Sequence, residues 1–502
     1  MYFVVFAAFV IILSVPEAGP PWSTINSPVW RWIIVLGQIP LTAIVGYLFT
    51  RSVIKKLELE PAWLQNAQKK LNRGNLVIRL TLTAGIIISI YLTDWVVYVR
   101  ALKPIKGIWG MDEIIALLPF FAAIFAGWLC VYPADRAVRQ VAIELQLWLS
   151  IPARPVWRLR RFLSFMFRHQ VMIIAAPMIP IVIANDFAHH YGPQLRRLTG
   201  LAWGHEAVLV IIAGGIFLFA PVMLRYIWHT RALPSGELRQ RLENLCRRAR
   251  LTYRQILIWE SDGMVVNAAV MGLFGPLRYI LLSDGLLEMM EDKKIEAVFG
   301  HEIGHIKYRH IQFYLLFAIL SMLIVGGITE LMMRTIYYWS EYFEHISQAQ
   351  DYLHVLAMVL IVMVWGLGFG GVSRRFEWQS DLFGARSVTP SANECNRPCF
   401  VHDTALTPKP ADQKQSAMIC ATGAATFADS LHRIAILNGI PIEARSWRHS
   451  SISHRMQLLK KCAQDPTFAA RLERSILIIK ITLLIGTLIG LAIAVWLYWP
   501  TN

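Results

Sequence analysis

The chain is expected to be an α-helical multi-spanning membrane protein with eight to nine transmembrane helices and an α+β soluble domain built between them. Three observations carry this expectation. Only 16% of its 502 residues are charged and 56% are hydrophobic, whereas soluble domains carry about a quarter charged residues. Eight apolar runs, at 30–50, 76–99, 114–131, 162–184, 207–228, 311–333, 353–372 and 476–499, approach the roughly 20 residues that cross a hydrocarbon core. Basic residues, finally, gather on alternate connections between these runs.

Taken in order, residues 2–15 are a ninth apolar run, too short for an ordinary span and without the positive flank of a secretory signal. They read as a short first membrane helix. Arg51, Lys55, Lys56, Lys69, Lys70 and Arg73 lie between the runs at 30–50 and 76–99, and Arg136, Arg139, Arg154, Arg158, Arg160 and Arg161 follow 114–131. The stretches 225–310 and 374 onward are also rich in arginine, whereas 336–352 has neither Lys nor Arg and carries Glu341, Glu344 and Asp351. Arg100, Lys103, Lys106, Arg196 and Arg197 blur the contrast in the short outer loops. The positive-inside rule then puts the basic loops in the cytoplasm, in the inner membrane if the cell is bacterial. This distribution assigns the net charge of +16 to a lipid bilayer rather than to nucleic acid.

Five segments follow: an N-terminal membrane region of five to six spans (1–228), a first soluble stretch (229–310), a membrane hairpin (311–372), a second soluble stretch (373–474) and a C-terminal membrane helix (475–502). The first soluble stretch opens with a charged helical segment at 236–250. Strand-like runs rich in branched and aromatic residues follow at 256–259, 267–272 and 278–282. Ser283 or Asp284 caps the helix after them. In the second stretch a Pro-, Asn- and Thr-rich patch at 388–414 reads as an irregular insertion, and a helical pattern resumes at 426–437. Asp94, Arg168, Glu330 and Lys480 lie in or beside apolar runs near their ends and read as snorkelling charges.

The chemistry is concentrated in His301-Glu302-Ile303-Gly304-His305. Residues four apart share one helical face, so His301 and His305 can aim two imidazole nitrogens at one metal while Glu302 reaches a water on it. A catalytic zinc site needs a third protein ligand. The two-span hairpin brings the chain back to the same membrane face, where Glu377 and Asp381 lie one helical turn apart. Glu377 can bind zinc, and Asp381 can accept from a ligand histidine and hold its tautomer. Six cysteines are scattered, and all but Cys130 fall in segments placed in the cytoplasm, where thiols stay reduced. Cys395, Cys399, His402 and Cys420 lack the paired C-x-x-C spacing of zinc sites. They read as incidental to a loop.

The order of these motifs resembles the HtpX and CAAX prenyl endopeptidase family of integral-membrane zinc metalloproteases, gluzincins with a distant glutamate ligand. The likeness runs over 249–459 and includes Asn267-Ala268, Gly285-Leu286-Leu287, the run from His301 to His310, Ser373-Arg374 with Glu377 and Asp381, and Trp447-Arg448-His449-Ser450-Ser451 with Arg455. It implies a zincin-type metalloprotease domain at the cytoplasmic face and one Zn2+ per chain held by His301, His305 and Glu377. Glu302 is then the general base, and His449 a donor to the tetrahedral oxyanion. Asn267 is implied to lie beside the substrate backbone, and Arg455 to bind substrate, pair with an acid or orient His449. Ser380 and Ser450 stand where the family usually has alanine and proline.

The expected function is hydrolysis of peptide bonds in membrane or membrane-associated proteins, for quality control or processing. Trimming of lipid-modified C-termini is the alternative within that class. A transporter or channel, or a peptide sensor that does not cut, with a structural zinc site is the alternative outside it.

Overall fold

The computed structural model describes residues 2–15, 27–59, 63–102, 108–148, 156–199, 204–340, 363–395, 398–402, 418–444 and 448–498, with isolated positions between them. The chain is mostly helical and divides into two compact units, one formed by residues 1–231 with 259–264 and the other by 232–258 with 265–502.

The first unit contains α1 (Tyr2–Ser14), α2 (Pro28–Leu59), α3 (Leu64–Leu92), α4 (Trp95–Arg100), α5 (Met111–Trp148), α6 (Leu159–Met166), α7 (Ile173–His190), α8 (Gly192–Thr199) and α9 (Gly204–Ile227). Helix α2 packs on α3 and α5, joining Val35, Ile78, Leu82, Ile86 and Phe120 in one apolar core. A six-residue π turn, Phe167–Met172, joins α6 to α7 in one helical rod. At 13 residues, α1 is about 20 Å long, short of the roughly 30 Å hydrocarbon core. Its Val5, Ala8, Phe9 and Ile12 are buried within the unit.

Of the charges read as snorkelling, Asp94 pairs with Arg31 (Oδ1 to Nε, 2.9 Å). Arg168 donates to Ser164 (Nη2 to Oγ, 2.7 Å).

The second unit follows β1 (Thr230–Ala232) with α10 (Glu237–Arg248), β2 (Gln255–Trp259), β3 (Ala268–Met271) and β4 (Tyr279–Ser283). The four-stranded sheet has the order β1-β2-β4-β3, so β3 lies at an edge. It runs antiparallel to β4, Ala268 opposite Leu282 and Met271 opposite Tyr279. Ser283 then caps α11 (Asp284–Met289), its hydroxyl accepting from the Leu286 amide. Helix α12 (Asp292–Lys307) presents Ile295, Val298, Phe299, Ile303 and Ile306 to the same core as Leu242, Ile258, Ile280 and Leu282.

After α12 the chain turns through Tyr308 and Arg309, the latter with φ +57°, and enters α13 (His310–Ser340). Helix α14 (Gly370–Ser387), α15 (Ala421–Leu437), α16 (Ile452–Gln464) and α17 (Pro466–Tyr498) complete the unit. Helix α15 starts five residues before the sequence pattern suggests. Thr422 and Gly423 hide the apolar periodicity there, and glycine is required because a Cβ at 423 would stand 2.6 Å from the Ala385 carbonyl oxygen.

Among the described residues, seven helices, including the α6–α7 rod, have the length and apolarity to cross a membrane: Pro28–Glu58, Asn66–Leu92, Met111–Glu144, Leu159–His190, Val208–Ile227, His310–Trp339 and Pro466–Leu497. They correspond to seven of the eight expected runs, and the protein is an integral membrane protein. Of the eighth run, 353–372, the structure describes chiefly 363–372, where a π-helical turn, Val364–Phe369, leads into α14, whereas the acidic positions 341–352 before it lie outside the described residues.

Candidate active site

Two helices carry the site. Helix α12 has no proline, and its register places His301 and His305 one turn apart on the side facing α14. Close approach of the two helices depends on glycine. A Cβ at Gly304 would stand 3.0 Å from Ser380 Cα, and one at Gly300 would stand 3.3 Å from Gly384 Cα. Glu377 and Asp381, one turn apart on α14, are thereby brought against the histidines.

His301 Nε2 and His305 Nε2 are 3.2 Å apart. Glu377 places Oε2 3.6 Å from His301 Nε2 and Oε1 3.6 Å from His305 Nε2. Tetrahedral zinc with bonds of 2.0–2.2 Å would separate such ligand atoms by about 3.3–3.5 Å, so the donor set fits that ion. The outer nitrogens of both rings are also engaged. Asp381 Oδ1 lies 2.9 Å from His301 Nδ1, and His310 Nδ1 lies 3.0 Å from His305 Nδ1. Asp381 is fully buried and is gripped by Arg455 from α16, with Nε to Oδ2 at 2.8 Å and Nη2 to Oδ1 at 2.5 Å.

Electrostatics separate the acids. Burial pushes Glu302 up to about 7, with Glu377 adding to the shift and the Val270 amide, which hydrogen-bonds its carboxylate, opposing it. Burial acts the same way on Glu377, but the hydrogen bond from His449 and the charges of His305 and His301 outweigh it and hold this carboxyl well below its ordinary value. For Asp381, burial is likewise overcome by Arg455, and the net shift is downward. Burial drives His305 down to about 4, whereas Asp381 beside His301 reverses the effect of burial and raises that ring.

All eight residues singled out from the sequence belong to this site. A cleft of about 480 Å³ is lined by Asn267, His301, Glu302, His305, Glu377, His449 and Arg455, among others; Asp381 sits behind the ligands. Asn267 stands just before β3, its amide donating to Ser283 Oγ at 2.9 Å. The half-exposed His449 has Nδ1 3.1 Å from Glu377 Oε2. Arg455 lines the cleft, but its guanidinium faces Asp381.

Four participants, Phe427, Gln379, Lys480 and His310, carry no role in the site in the sequence reading. Phe427 of α15 stacks on the His301 ring, centroids 5.9 Å apart and planes at 17°. Gln379 accepts from His310 Nε2 at 3.0 Å and from Lys480 Nζ at 2.8 Å. Lys480 also donates to the Tyr308 carbonyl at 2.9 Å and is 8% exposed. The snorkelling assignment is therefore corrected: Lys480 turns inward because these two oxygens replace its water. His310 and Gln379 are sequence neighbours of the ligands, which was the available signal. Nothing local marks Phe427 or Lys480.

Known proteins share this arrangement of sequence. A profile of Peptidase family M48 matches residues 232–399. A CAAX prenyl protease 1 homolog of Arabidopsis thaliana is 26% identical over 216 residues, covering 41% of this chain and 49% of that protein. A protease HtpX homolog of Bacteroides fragilis is 27% identical over 153 residues, covering 30% of this chain and 46% of that one. The chain thus spans about half the length of these curated relatives. The crystal structure of S. mikatae Ste24p aligns over 86% of this chain and 99% of that one, with a TM-score of 0.48 and 14% identity. The sequence matches bear out the resemblance to HtpX and CAAX prenyl endopeptidases, and the M48 match implies a metal.

Proposed function

We propose that the chain is a membrane-integrated zinc endopeptidase that cleaves membrane or membrane-associated polypeptides, with its active site on the cytoplasmic side. The observation that carries this reading is the convergence of His301, His305 and Glu377, at 3.2–3.6 Å separations, beside the half-buried Glu302, whose proton affinity is raised to about 7. A zinc ion held by the first three would polarise the scissile carbonyl and acidify a water. Glu302, beside them in the cleft, would accept a proton from water and deliver it to the leaving amine.

Edge strand β3, which lines the cleft with Asn267, Ala268, Ala269 and Val270, supports binding of an extended substrate by main-chain pairing. His449, at the cleft wall, is placed to donate to the developing oxyanion, and Arg455 orients the site through Asp381. A cytoplasmic active site is supported by the basic loops. Membrane polypeptides are favoured as substrates because α13 leaves the motif helix after a two-residue turn.

Trimming of a lipid-modified C-terminus is a second reading, favoured by the likeness to the CAAX prenyl protease homolog. Purified protein in detergent separates the readings when offered an unfolded membrane protein and a farnesylated C-terminal peptide. Wild type is expected to hold zinc and cut the first, and Glu302→Gln to hold zinc and lose at least about 100-fold in rate. Zinc-free wild type, or equal cutting by the variant, would overturn the proposal.

A further inference from the structure

The irregular stretch after α14 gathers four soft ligands. A single turn at Ala392–Glu394 leads into Cys395, and Cys399 and His402 follow at once. Cys420 returns to them as the residue that precedes α15. Cys395 Sγ lies 3.6 Å from both Cys399 Sγ and Cys420 Sγ, and Cys399 Sγ lies 3.9 Å from Cys420 Sγ. His402 presents Nδ1 at 3.3 Å from Cys399 Sγ and 3.7 Å from Cys420 Sγ.

These five separations are five of the six edges of a tetrahedron. With Zn–S bonds of about 2.3 Å and Zn–N of about 2.0–2.1 Å, sulfurs on one ion stand roughly 3.8 Å apart and a sulfur–nitrogen edge measures roughly 3.6 Å. A disulfide brings two sulfurs to about 2.05 Å, so this spacing is that of ligands around a common centre. We propose that Cys395, Cys399, Cys420 and His402 form a second, structural zinc site of the Cys3His type, in addition to the one ion per chain expected from the sequence.

The surroundings suit a structural ion. Cys399 and Cys420 are 3% and 0% exposed, and four protein ligands leave no open position for water, as in structural zinc sites. Backbone amides of Thr422 and Gly423 hydrogen-bond Cys420, and the Thr422 hydroxyl lies 3.5 Å from Cys395 Sγ. Such donors, at the start of a 17-residue helix, oppose the burial that raises the Cys420 thiol to about 11; the ion would supply the charge that holds the thiolate. Binding exchanges thiol protons for the ion, with no redox partner required. The ion would tie the exit of α14, which carries Glu377 and Asp381, to the start of α15, which carries Phe427 against His301. It would act as a clasp behind the peptidase cleft, independent of that cleft's chemistry.

Metal analysis of the purified full chain tests this. Wild type is expected to carry two zinc ions, and the Cys399→Ser/Cys420→Ser and His305→Ala variants one each. Because the cysteine variant can fail to fold, wild type grown with cobalt provides a second measurement. Only the Cys3His site can give a sulfur-to-cobalt charge-transfer band, and His305→Ala must keep it. One zinc in wild type that disappears with His305→Ala, iron in place of zinc, or no sulfur-to-cobalt band would overturn the proposal. One zinc that survives His305→Ala and is lost with the cysteines would support this site and refute the peptidase metal.

Discussion

Gly304, between the two histidines, tests whether the ligand geometry depends on how closely α12 and α14 pack. In Gly304→Ala the new methyl would meet Ser380 Cα at 3.0 Å, Phe383 Cβ at 3.1 Å and Ser380 Cβ at 3.3 Å. Carbon atoms rest at about 3.5–4.0 Å, so α14 must retreat by roughly 0.5–1 Å. The nearest obstacle is backbone and cannot rotate away. Overpacking of this kind costs about 1–3 kcal/mol, and the better helix propensity of alanine returns about 1 kcal/mol, leaving a net loss of about 0–2 kcal/mol. The larger effect falls on the metal. Glu377 rides on α14, and its 3.6 Å distances to the histidine nitrogens would open by a large part of that retreat. Misplacement on this scale should lower zinc affinity about 10- to 100-fold, comparable to losing a second-layer partner. Competition with a chromophoric chelator measures it directly. Unchanged affinity together with a higher melting temperature would refute the argument, because it would mean that α14 accepts the methyl without moving.

Asp381→Asn should weaken zinc about 10- to 100-fold by releasing His301, and leaving Arg455 buried without its charge partner should cost about 3–5 kcal/mol in denaturant unfolding. Because Asp381 titrates below its ordinary value near 3.8, its contribution is present above that pH and is lost as pH falls through the depressed value; the variant should lack this acid limb. Glu302 has the opposite sign. With its carboxyl raised from 4.5 to about 7, metal-free protein should lose up to about 3 kcal/mol as pH climbs across that interval, less whatever cleft water screens. Glu302→Gln should flatten that slope in thermal melts of the chelated protein. Phe427→Ala should cost about 3–5 kcal/mol, with most of the loss recovered by Phe427→Leu; equal losses in both would show that ring stacking on His301 dominates over volume.

The sequence by itself determined the membrane class, because apolar runs of fixed length are a local property that no tertiary contact alters. It also determined the identity of His301, Glu302 and His305, whose spacing is one helical turn, and the strands at β2, β3 and β4, whose branched and aromatic runs end at turn residues. Glu377 was legible for a topological reason, since two spans return a chain to the face it left. Tertiary structure alone decided the rest. Lys480 looks like a charge near the end of a membrane run until the Tyr308 carbonyl and Gln379, 101 positions away in the chain, are seen to satisfy it inside. Phe427 and Gly304 matter through what they touch across a helix interface, which sequence spacing does not encode. The cysteines show the difference most sharply. Their separations of four and twenty-one positions match no paired motif, yet the fold brings three sulfurs and an imidazole to the corners of one tetrahedron, because a ligand set is defined by distance in space and not along the chain.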